Sequence, residues 1–196
     1  VKRSFTFICD YMMNSGLPHF GATQPGDTYY LSPLNIFTFG MANVSGEKDH
    51  LIAHVYDEGK GKKGGNNVAS LIMKTLRLLG LLLPEGGGSI KELNIVFDNC
   101  SGQNKNNHVL RLVPLLVEMN FFRKVNFIFL VVGHTKNACD RLFNLLKLNL
   151  RKKDVFTFEE FLKNMNIHES CTAIPVESGD FRDIKGFCDG FYHKYS

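Results

Sequence analysis

Residues 95–107 read IVFDNCSGQNKNN and form the most informative stretch of this sequence. A fully apolar run ends on the carboxylate of Asp98, and a dense polar loop follows before a helical pattern begins at His108. An α/β protein presents an acid in this way at the carboxyl end of a buried strand, where such folds place their ligands. The stretch therefore predicts a functional site at the end of a buried strand.

The N-terminal region repeats this arrangement. Residues 5–9 read FTFIC, and this apolar run ends on a second carboxylate, that of Asp10. Hard divalent cations prefer oxygen ligands such as carboxylates. Two strand-end aspartates in one small α/β domain therefore indicate a metal site.

The order of the patterns along the chain predicts the fold class. We expect strands at 4–9, 29–41, 51–56, 93–97 and 125–132, and helices at 68–83, 108–119 and 137–150. Hairpin-length links make the first three strands antiparallel, and crossover connections make the fourth and fifth parallel to the first. The prediction is an α/β protein with a five-stranded mixed sheet flanked by helices. Residues 1–150 form the core, and 151–196 form a C-terminal extension packed on or beside it.

Composition limits the function classes. The chain has 196 residues, of which 44% are apolar and 21% charged, and this balance is typical of a globular protein with a substantial core. The net charge of +4 permits a polyanionic partner without requiring one. No stretch is long and apolar enough to span a membrane. No signal peptide is visible, and the start at Val1 predicts a fragment of a longer protein.

The cysteines and histidines argue against a disulfide framework and a zinc site. Five scattered cysteines without a C-x-x-C pair predict reduced thiols and an intracellular location. His50 and His54 have H-x-x-x-H spacing, but they fall on a loop-to-strand segment and are expected to be solvated.

A third acid completes the candidate site. If the fourth strand lies beside the first, Asp10 and Asp98 end neighbouring strands about 4.8 Å apart and reach one cation. Asp140 lies in the first turn of the helix after the fifth strand, on the side that faces this edge. We predict Asp10, Asp98 and Asp140 as catalytic and metal-binding residues for Mg²⁺ or Mn²⁺. The alternative for Asp140 is an acid that only stabilises the helix dipole.

Basic and amide side chains surround these acids in the sequence. The side chains that we expect to contact a phosphate backbone are those of Lys60, Lys62, Lys63, Gln103, Asn104, Lys105, His134 and Lys136. The alternatives are a capped, solvated loop before a helix for residues 103–107, a flexible solvated loop for the lysines at 60–63, and a loop histidine at 134. Other chemistries lack their motifs, because neither a phosphate-binding G-x-x-x-x-G-K-[ST] loop nor a G-x-S-x-G turn is present. A hydrolase built on Cys100 and His134 has suitable placement but no visible group that activates the thiol.

The acid pattern resembles the ribonuclease H-like fold, and in particular the transposase and integrase catalytic domains with a D…D…(D/E) triad. The strings ICDYMMNSGLPH, YDEG, FDNCSGQNKNN and VVGHTKNACDRLF are also similar to an uncharacterised transposon-associated family of this fold. The resemblance covers about residues 4–150. In this chain the third acid is the aspartate at 140, where integrases commonly carry a glutamate.

The resemblance implies an activity and partners. It implies divalent-metal-dependent cleavage and joining of DNA strands at Asp10, Asp98 and Asp140, with transposon ends as the DNA partner, a homo-oligomer and a nuclear location. Neither a membrane nor a small-molecule cofactor is expected. The alternative is a transposon-derived module that keeps the fold and binds nucleic acid or protein without cutting.

Overall fold

The structure is a computed structural model that describes residues 2–83, 90–98, 100, 102, 104–131 and 137–192. The strands are β1 (Lys2–Tyr11), β2 (Ser15–Leu17), β3 (Leu34–Asn43), β4 (His50–Asp57), β5 (Ile90–Phe97), β6 (Lys124–Phe129) and β7 (Cys171–Pro175). The helices are α1 (Gly65–Leu78), α2 (Asn107–Leu110), α3 (Leu112–Glu118), α4 (Ala138–Leu150), α5 (Phe158–Met165) and α6 (Ile184–Asp189).

The strands form one mixed sheet in the order β6-β5-β1-β3-β4-β7, and β2 pairs with β3. β3 is antiparallel to both β1 and β4, whereas β5 is parallel to β1 and β6 is parallel to β5. The predicted α/β class with a mixed sheet is confirmed. The predicted count of five strands is wrong, because the described residues form a sheet of seven.

Of the two strands beyond these five, β2 lies in the long loop after β1, where the sequence predicts no strand, and β7 lies in the C-terminal segment, where residues 172–176 have the pattern of an edge strand. β2 has only three residues, too few to show an alternation of apolar and polar positions. β7 belongs to the C-terminal segment and pairs with β4 in parallel, from Leu51 opposite Cys171 to Val55 opposite Pro175. This strand lies at the edge of the sheet, where a proline leaves no ladder hydrogen bond unmade.

Helices cover both faces of the sheet. On one face α1, α2 and α3 pack on a core that includes Phe7, Cys9, Ile95 and Phe97. On the opposite face α4 and α5 pack on a second core around Phe143. Among the described residues, no helix combines the length and the apolar character needed to cross a membrane.

The helix predicted at 108–119 is divided at Arg111 into α2 and α3. The interruption falls one turn before Pro114, which has no N–H to donate to the carbonyl oxygen one turn earlier. The expected effect of this proline is therefore confirmed.

The segment after residue 150 is tied to the rest of the molecule by its charges. α6 packs on α1 and α2, and β7 extends the sheet. Three ion pairs join the segment to earlier elements: Lys60 with Glu177, Lys74 with Asp180, and Arg111 with Asp189. The acids of this segment therefore neutralise basic side chains of the preceding part of the chain.

Gly40 on β3 allows α4 to lie close against the sheet. A Cβ atom at this position would lie 2.5 Å from Cζ of Phe143 and 2.8 Å from Cδ1 of Leu51. Because Gly40 pairs with Asp10 on β1, the same close approach brings α4 beside that acid. The absence of a side chain at residue 40 thus helps to position the candidate site.

We expect Gly40→Ala to lower the free energy of unfolding by about 1–3 kcal/mol, because the added methyl group overpacks the contact with Phe143. The loss is measured as a lower thermal midpoint, at about 2–4 °C per kcal/mol for a chain of this size. Gly46→Ala is the matched control, since the nearest atom to its Cβ is 3.7 Å away. Equal midpoints for the two variants would contradict this account of the packing.

Candidate metal and nucleic-acid site

Asp10 and Asp98 occupy equivalent positions on neighbouring strands. The parallel register of β1 and β5 ends with Cys9 opposite Phe97; Asp10 is the next residue of β1, and Asp98 directly follows the end of β5. β1 is longer than predicted, because Asp10 still pairs with Gly40 of β3. Since adjacent strands lie about 4.8 Å apart, the two carboxylates emerge side by side at one edge of the sheet.

The three predicted acids lie at the same edge of the sheet. Cys9 points into the core beneath α1 and α3, so the alternation of side chains along β1 places Asp10 on the face that α4 covers. α4 packs on β1 and carries Asp140 in its first turn. The start of α4 therefore lies at the edge of the sheet where Asp10 and Asp98 emerge.

The charges of the other two acids act on Asp10. Burial, as the largest cause, together with the negative charges of Asp98 and Asp140, raises the pKa of Asp10 to about 6. The backbone N–H of Tyr11, which donates to Oδ1 of Asp10 at 2.7 Å, and the charge of Lys63 act in the opposite direction. Repulsion between like charges is expected wherever carboxylates share a site without a cation.

This raised pKa predicts how stability depends on pH. The folded protein holds a proton on Asp10 that the unfolded chain, with an ordinary pKa of 3.8, releases. The contribution to stability is complete below about pH 4 and is lost as the pH rises to about 6. Above pH 6 the metal-free protein therefore carries an unfavourable charge at this position.

We expect Asp10→Asn to raise the thermal midpoint of the metal-free protein at pH 7.5 and to leave it nearly unchanged at pH 4. The gain at pH 7.5 is about 1–2 kcal/mol after allowance for solvent screening, or about 2–8 °C. Melting curves in EDTA at the two pH values measure it, with the exposed Asp27→Asn as control. A midpoint that does not depend on this substitution at pH 7.5 would contradict the crowding of the acids.

Each of the other two acids is held by its own neighbours. Oδ1 of Asp98 accepts from the side-chain amide of Asn104 and, at 3.4 Å, from the N–H of Cys100. Asp140 forms a capping box with Asn137, whose N–H lies 3.3 Å from Oδ2 of the acid. Within the described parts of the chain, no three acidic, histidine or cysteine side chains converge on a common point for a metal ion. The predicted cluster within reach of one ion is therefore not formed in this conformation, in which Asp98 and Asp140 are hydrogen-bonded to their own neighbours.

Lys63 is the cation next to the acids. Its Nζ lies 4.8 Å from the ring centre of Tyr11 and 5.5 Å from that of Phe37, and donates to the carbonyl oxygen of Met12 at 3.4 Å. Burial lowers the pKa of Lys63, whereas the negative charge of Asp10 opposes that change. The lysine that was predicted in a flexible loop is thus held by two aromatic rings beside Asp10.

Other predicted nucleic-acid contacts have different outcomes. Lys62 and Lys105 are exposed. Lys60 is engaged by Glu177 at 2.8 Å and lies over the ring of Phe158. Asn104 is 2% exposed, so that it contacts Asp98 and offers no surface to a nucleic acid. The predicted residues Gln103, His134 and Lys136 lie outside the described residues.

Two side chains at the site were missed in the sequence. Arg141 follows Asp140 and forms an ion pair with Asp49, and both α4 residues line an open cleft of about 810 Å³. Tyr11 follows Asp10, and the ammonium group of Lys63 lies over its ring. Each of these residues directly follows a predicted acid in the sequence. Inspection of the residues next to the acids could therefore have identified both.

Comparisons with known proteins give a family and distant structural similarities. The family described as "Domain of unknown function (DUF7869)" matches residues 44–196, which include Asp98 and Asp140 but not Asp10. The chain matches no curated protein.

Among solved structures, the chain is similar to NurA with manganese, at 16% identity and a TM-score of 0.22 over 50% of this chain and 20% of the other. The structure of NurA bound to dAMP and manganese has 14% sequence identity and a TM-score of 0.26, over 96% of this chain and 37% of the other. A further structure of NurA has 15% identity and a TM-score of 0.27, over 99% of this chain and 39% of the other. The chain thus spans at most about two fifths of those proteins.

Proposed function

The chain belongs to the family of the domain of unknown function DUF7869, and we propose that it is a divalent-metal-dependent nuclease of the transposase type. In this proposal the sheet has the ribonuclease H-like arrangement, and Asp10, Asp98 and Asp140 bind Mg²⁺ or Mn²⁺. The reaction is cleavage of a DNA phosphodiester bond, followed by transfer of the strand end.

The observation that carries the proposal is the placement of the acids. Asp10 and Asp98 directly follow the last register pair of two parallel strands, and Asp140 lies in the first turn of α4, which packs on β1. The effect of both other acids on the pKa of Asp10 supports their proximity. Three carboxylates are rarely gathered at one half-buried edge unless a cation offsets their charge.

The donor set fits a hard divalent cation. Carboxylate oxygens are the ligands that Mg²⁺ and Mn²⁺ prefer, and Asp10 and Asp98 leave neighbouring strands with oxygens to offer. The hydrogen bond of 3.3 Å that turns Asp140 toward the N–H of Asn137 is long, so a rotation of this carboxylate toward the cation costs little. Metal in such a site activates a water or hydroxyl for attack on phosphorus and stabilises the leaving oxygen.

The cationic side chains of this region suit a phosphate backbone. Lys63 is held beside Asp10 by the rings of Tyr11 and Phe37, so its ammonium group is oriented before a substrate arrives. Lys62 and Lys105 are exposed on the two loops that follow β4 and β5. Such contacts position a strand without reading its sequence.

A cleavage assay tests the proposal. The purified protein is incubated with single-stranded and double-stranded DNA, including the ends of the element that encodes it, with Mn²⁺, Mg²⁺ or EDTA. We expect cleavage that requires the metal and stops in EDTA. The absence of cleavage with every metal and substrate would contradict the enzymatic proposal.

A second candidate is a binding module that has the same fold and does not cut. The observation that favours it is the capture of Asp98 and Asp140 by Asn104 and Asn137, which leaves the carboxylates apart in the described conformation. Binding of DNA without cleavage under all metal conditions would support this second function. Cleavage that depends on Mn²⁺ would exclude it.

A further inference from the structure

We propose that Asn104 is a positioning residue for Asp98, and that its carboxamide also supplies a hydrogen-bond acceptor to the water shell of the bound cation. The inference rests on the proposed function, because it assigns the second layer of contacts around that same metal site. It replaces the contact with nucleic acid that the sequence predicted for Asn104.

The first observation is the contact itself. Asn104 is 2% exposed, and its Nδ2 donates to Oδ1 of Asp98. The same oxygen lies 3.4 Å from the N–H of Cys100. With Oδ1 held from two sides, Oδ2 of Asp98 remains as the oxygen for a cation, so the carboxylate is fixed in one orientation.

The second observation is an acceptor without a partner. Oδ1 of Asn104 is buried and has no hydrogen bond among the described residues. A buried amide oxygen normally accepts a hydrogen bond, because burying the oxygen without one costs free energy. Both atoms belong to one planar carboxamide, so this acceptor is separated by a single carbon from the nitrogen that contacts Asp98. A water molecule of a hydrated cation is the class of donor that fits this position.

The orientation of the amide follows from the chemistry of its partner. An ionised carboxylate only accepts hydrogen bonds, so the NH₂ group of Asn104 must face Asp98 and the carbonyl group must face away from it. If the amide were turned over, its carbonyl oxygen would face a carboxylate oxygen of Asp98, and two acceptors would be placed against each other. The unpartnered oxygen is therefore a property of the site and not of an arbitrary choice between oxygen and nitrogen.

The backbone holds Asn104 in place for this role. Its N–H donates to the carbonyl oxygen of Cys100 at 2.8 Å, and the N–H of Lys105 donates to the same oxygen at 3.0 Å. Asn106 then caps α2 by accepting from the N–H groups of His108 and Val109. The side chain is thus fixed between a tight turn and a helix start, as a residue that orients a metal ligand needs to be.

The test compares Mn²⁺ binding by calorimetry in wild-type protein and three variants, with melting curves to confirm folding. Asn104→Leu keeps the volume but removes both hydrogen bonds, and we expect Mn²⁺ to bind about 10–100-fold more weakly. Asn166→Ala is the matched control. Among the described residues, its side-chain amide bonds to the backbone of Leu162 and Ala173, so its loss should lower the thermal midpoint and leave Mn²⁺ affinity unchanged.

Asn104→Asp provides a second readout that a purely structural role would not change. It has the same shape, but it brings a carboxylate against Asp98, and two carboxylates in contact share a proton that a cation must displace. We expect its Mn²⁺ affinity to rise more steeply with pH between 6 and 8 than that of wild type. This variant decides the question if Asn104→Leu does not fold.

The outcomes separate this inference from the proposed function. If wild type binds Mn²⁺ and both Asn104 variants bind it equally tightly, with no added pH dependence, the role of Asn104 is refuted and the metal site stands. If folded wild-type protein does not bind Mn²⁺ at all, the proposed function fails, and this inference fails with it.

Discussion

Asp98→Asn should lower the rate of metal-dependent DNA cleavage by about 10³-fold, the largest effect that we expect from one substitution. The variant keeps the shape of the side chain and an oxygen that accepts from Asn104, but it removes the charge that binds the cation. Loss of several kcal/mol of stabilisation of the transition state corresponds to this factor. Single-turnover cleavage of labelled DNA at saturating Mn²⁺ measures it.

The same substitution should remove the stabilisation that metal gives to the folded protein. At a concentration of 100 times the dissociation constant, Mn²⁺ should stabilise wild type by about 2.7 kcal/mol, or about 5–11 °C in the thermal midpoint. Asp98→Asn should lose most of this shift, whereas the exposed Asp27→Asn should keep it. Asp98 would be a structural residue if Asp98→Asn cleaved DNA at the wild-type rate. The same conclusion would follow if the variant unfolded without metal while the thermal midpoint of wild type did not change with metal.

The second large effect concerns the anchor of the C-terminal helix. The guanidinium of Arg111 is 2% exposed and is paired with Asp189, and its Nη2 donates to the carbonyl oxygen of Tyr192 at 3.2 Å. Removing the acid leaves a buried charge without compensation, which costs about 3–5 kcal/mol when both partners are fully buried. Because the side chain of Asp189 is 40% exposed, we expect Asp189→Asn to cost about 2–3 kcal/mol.

Two further variants show that burial of the charge causes this loss. Lys185→Ala removes an exposed partner that lies 3.9 Å from Asp189, and it should cost less than about 0.5 kcal/mol. Adding Arg111→Met to Asp189→Asn removes the uncompensated charge, so the double variant should be more stable than Asp189→Asn alone. Chemical denaturation measures all three. Similar losses for Asp189→Asn and Lys185→Ala would contradict the role of this pair.

The sequence was sufficient for the parts of the fold that depend on local pattern. The apolar runs before Asp10 and Asp98 identified two strands that are neighbours in the sheet. The spacing of helices and strands gave the parallel and antiparallel pairings of β1, β3, β4, β5 and β6. Pro114 marked the interruption between α2 and α3. The strands and the interruption follow from residues close together in the chain, and the pairings follow from the order and spacing of these elements.

Features that depend on distant residues were not visible in the sequence. Lys60 was expected in a solvated basic loop, but it is paired with Glu177, more than one hundred positions later. His54 was expected in solvent, yet it is fully buried on β4 with Nε2 at 2.6 Å from the hydroxyl of Thr75. Asn104 was expected to contact nucleic acid, although it is buried against Asp98. Composition and spacing do not show which polar side chain the fold will cover.

The central claim is that Asp10 and Asp98 bind one divalent cation. Anomalous diffraction from crystals soaked in millimolar Mn²⁺ at pH 7.5, above the pKa of about 6 for Asp10, tests it most directly. The account predicts an anomalous peak at about 2.0–2.3 Å from a carboxylate oxygen of both acids, with Asp140 turned away from Asn137. A peak elsewhere, or no peak while Asp140 still caps its helix, would contradict it.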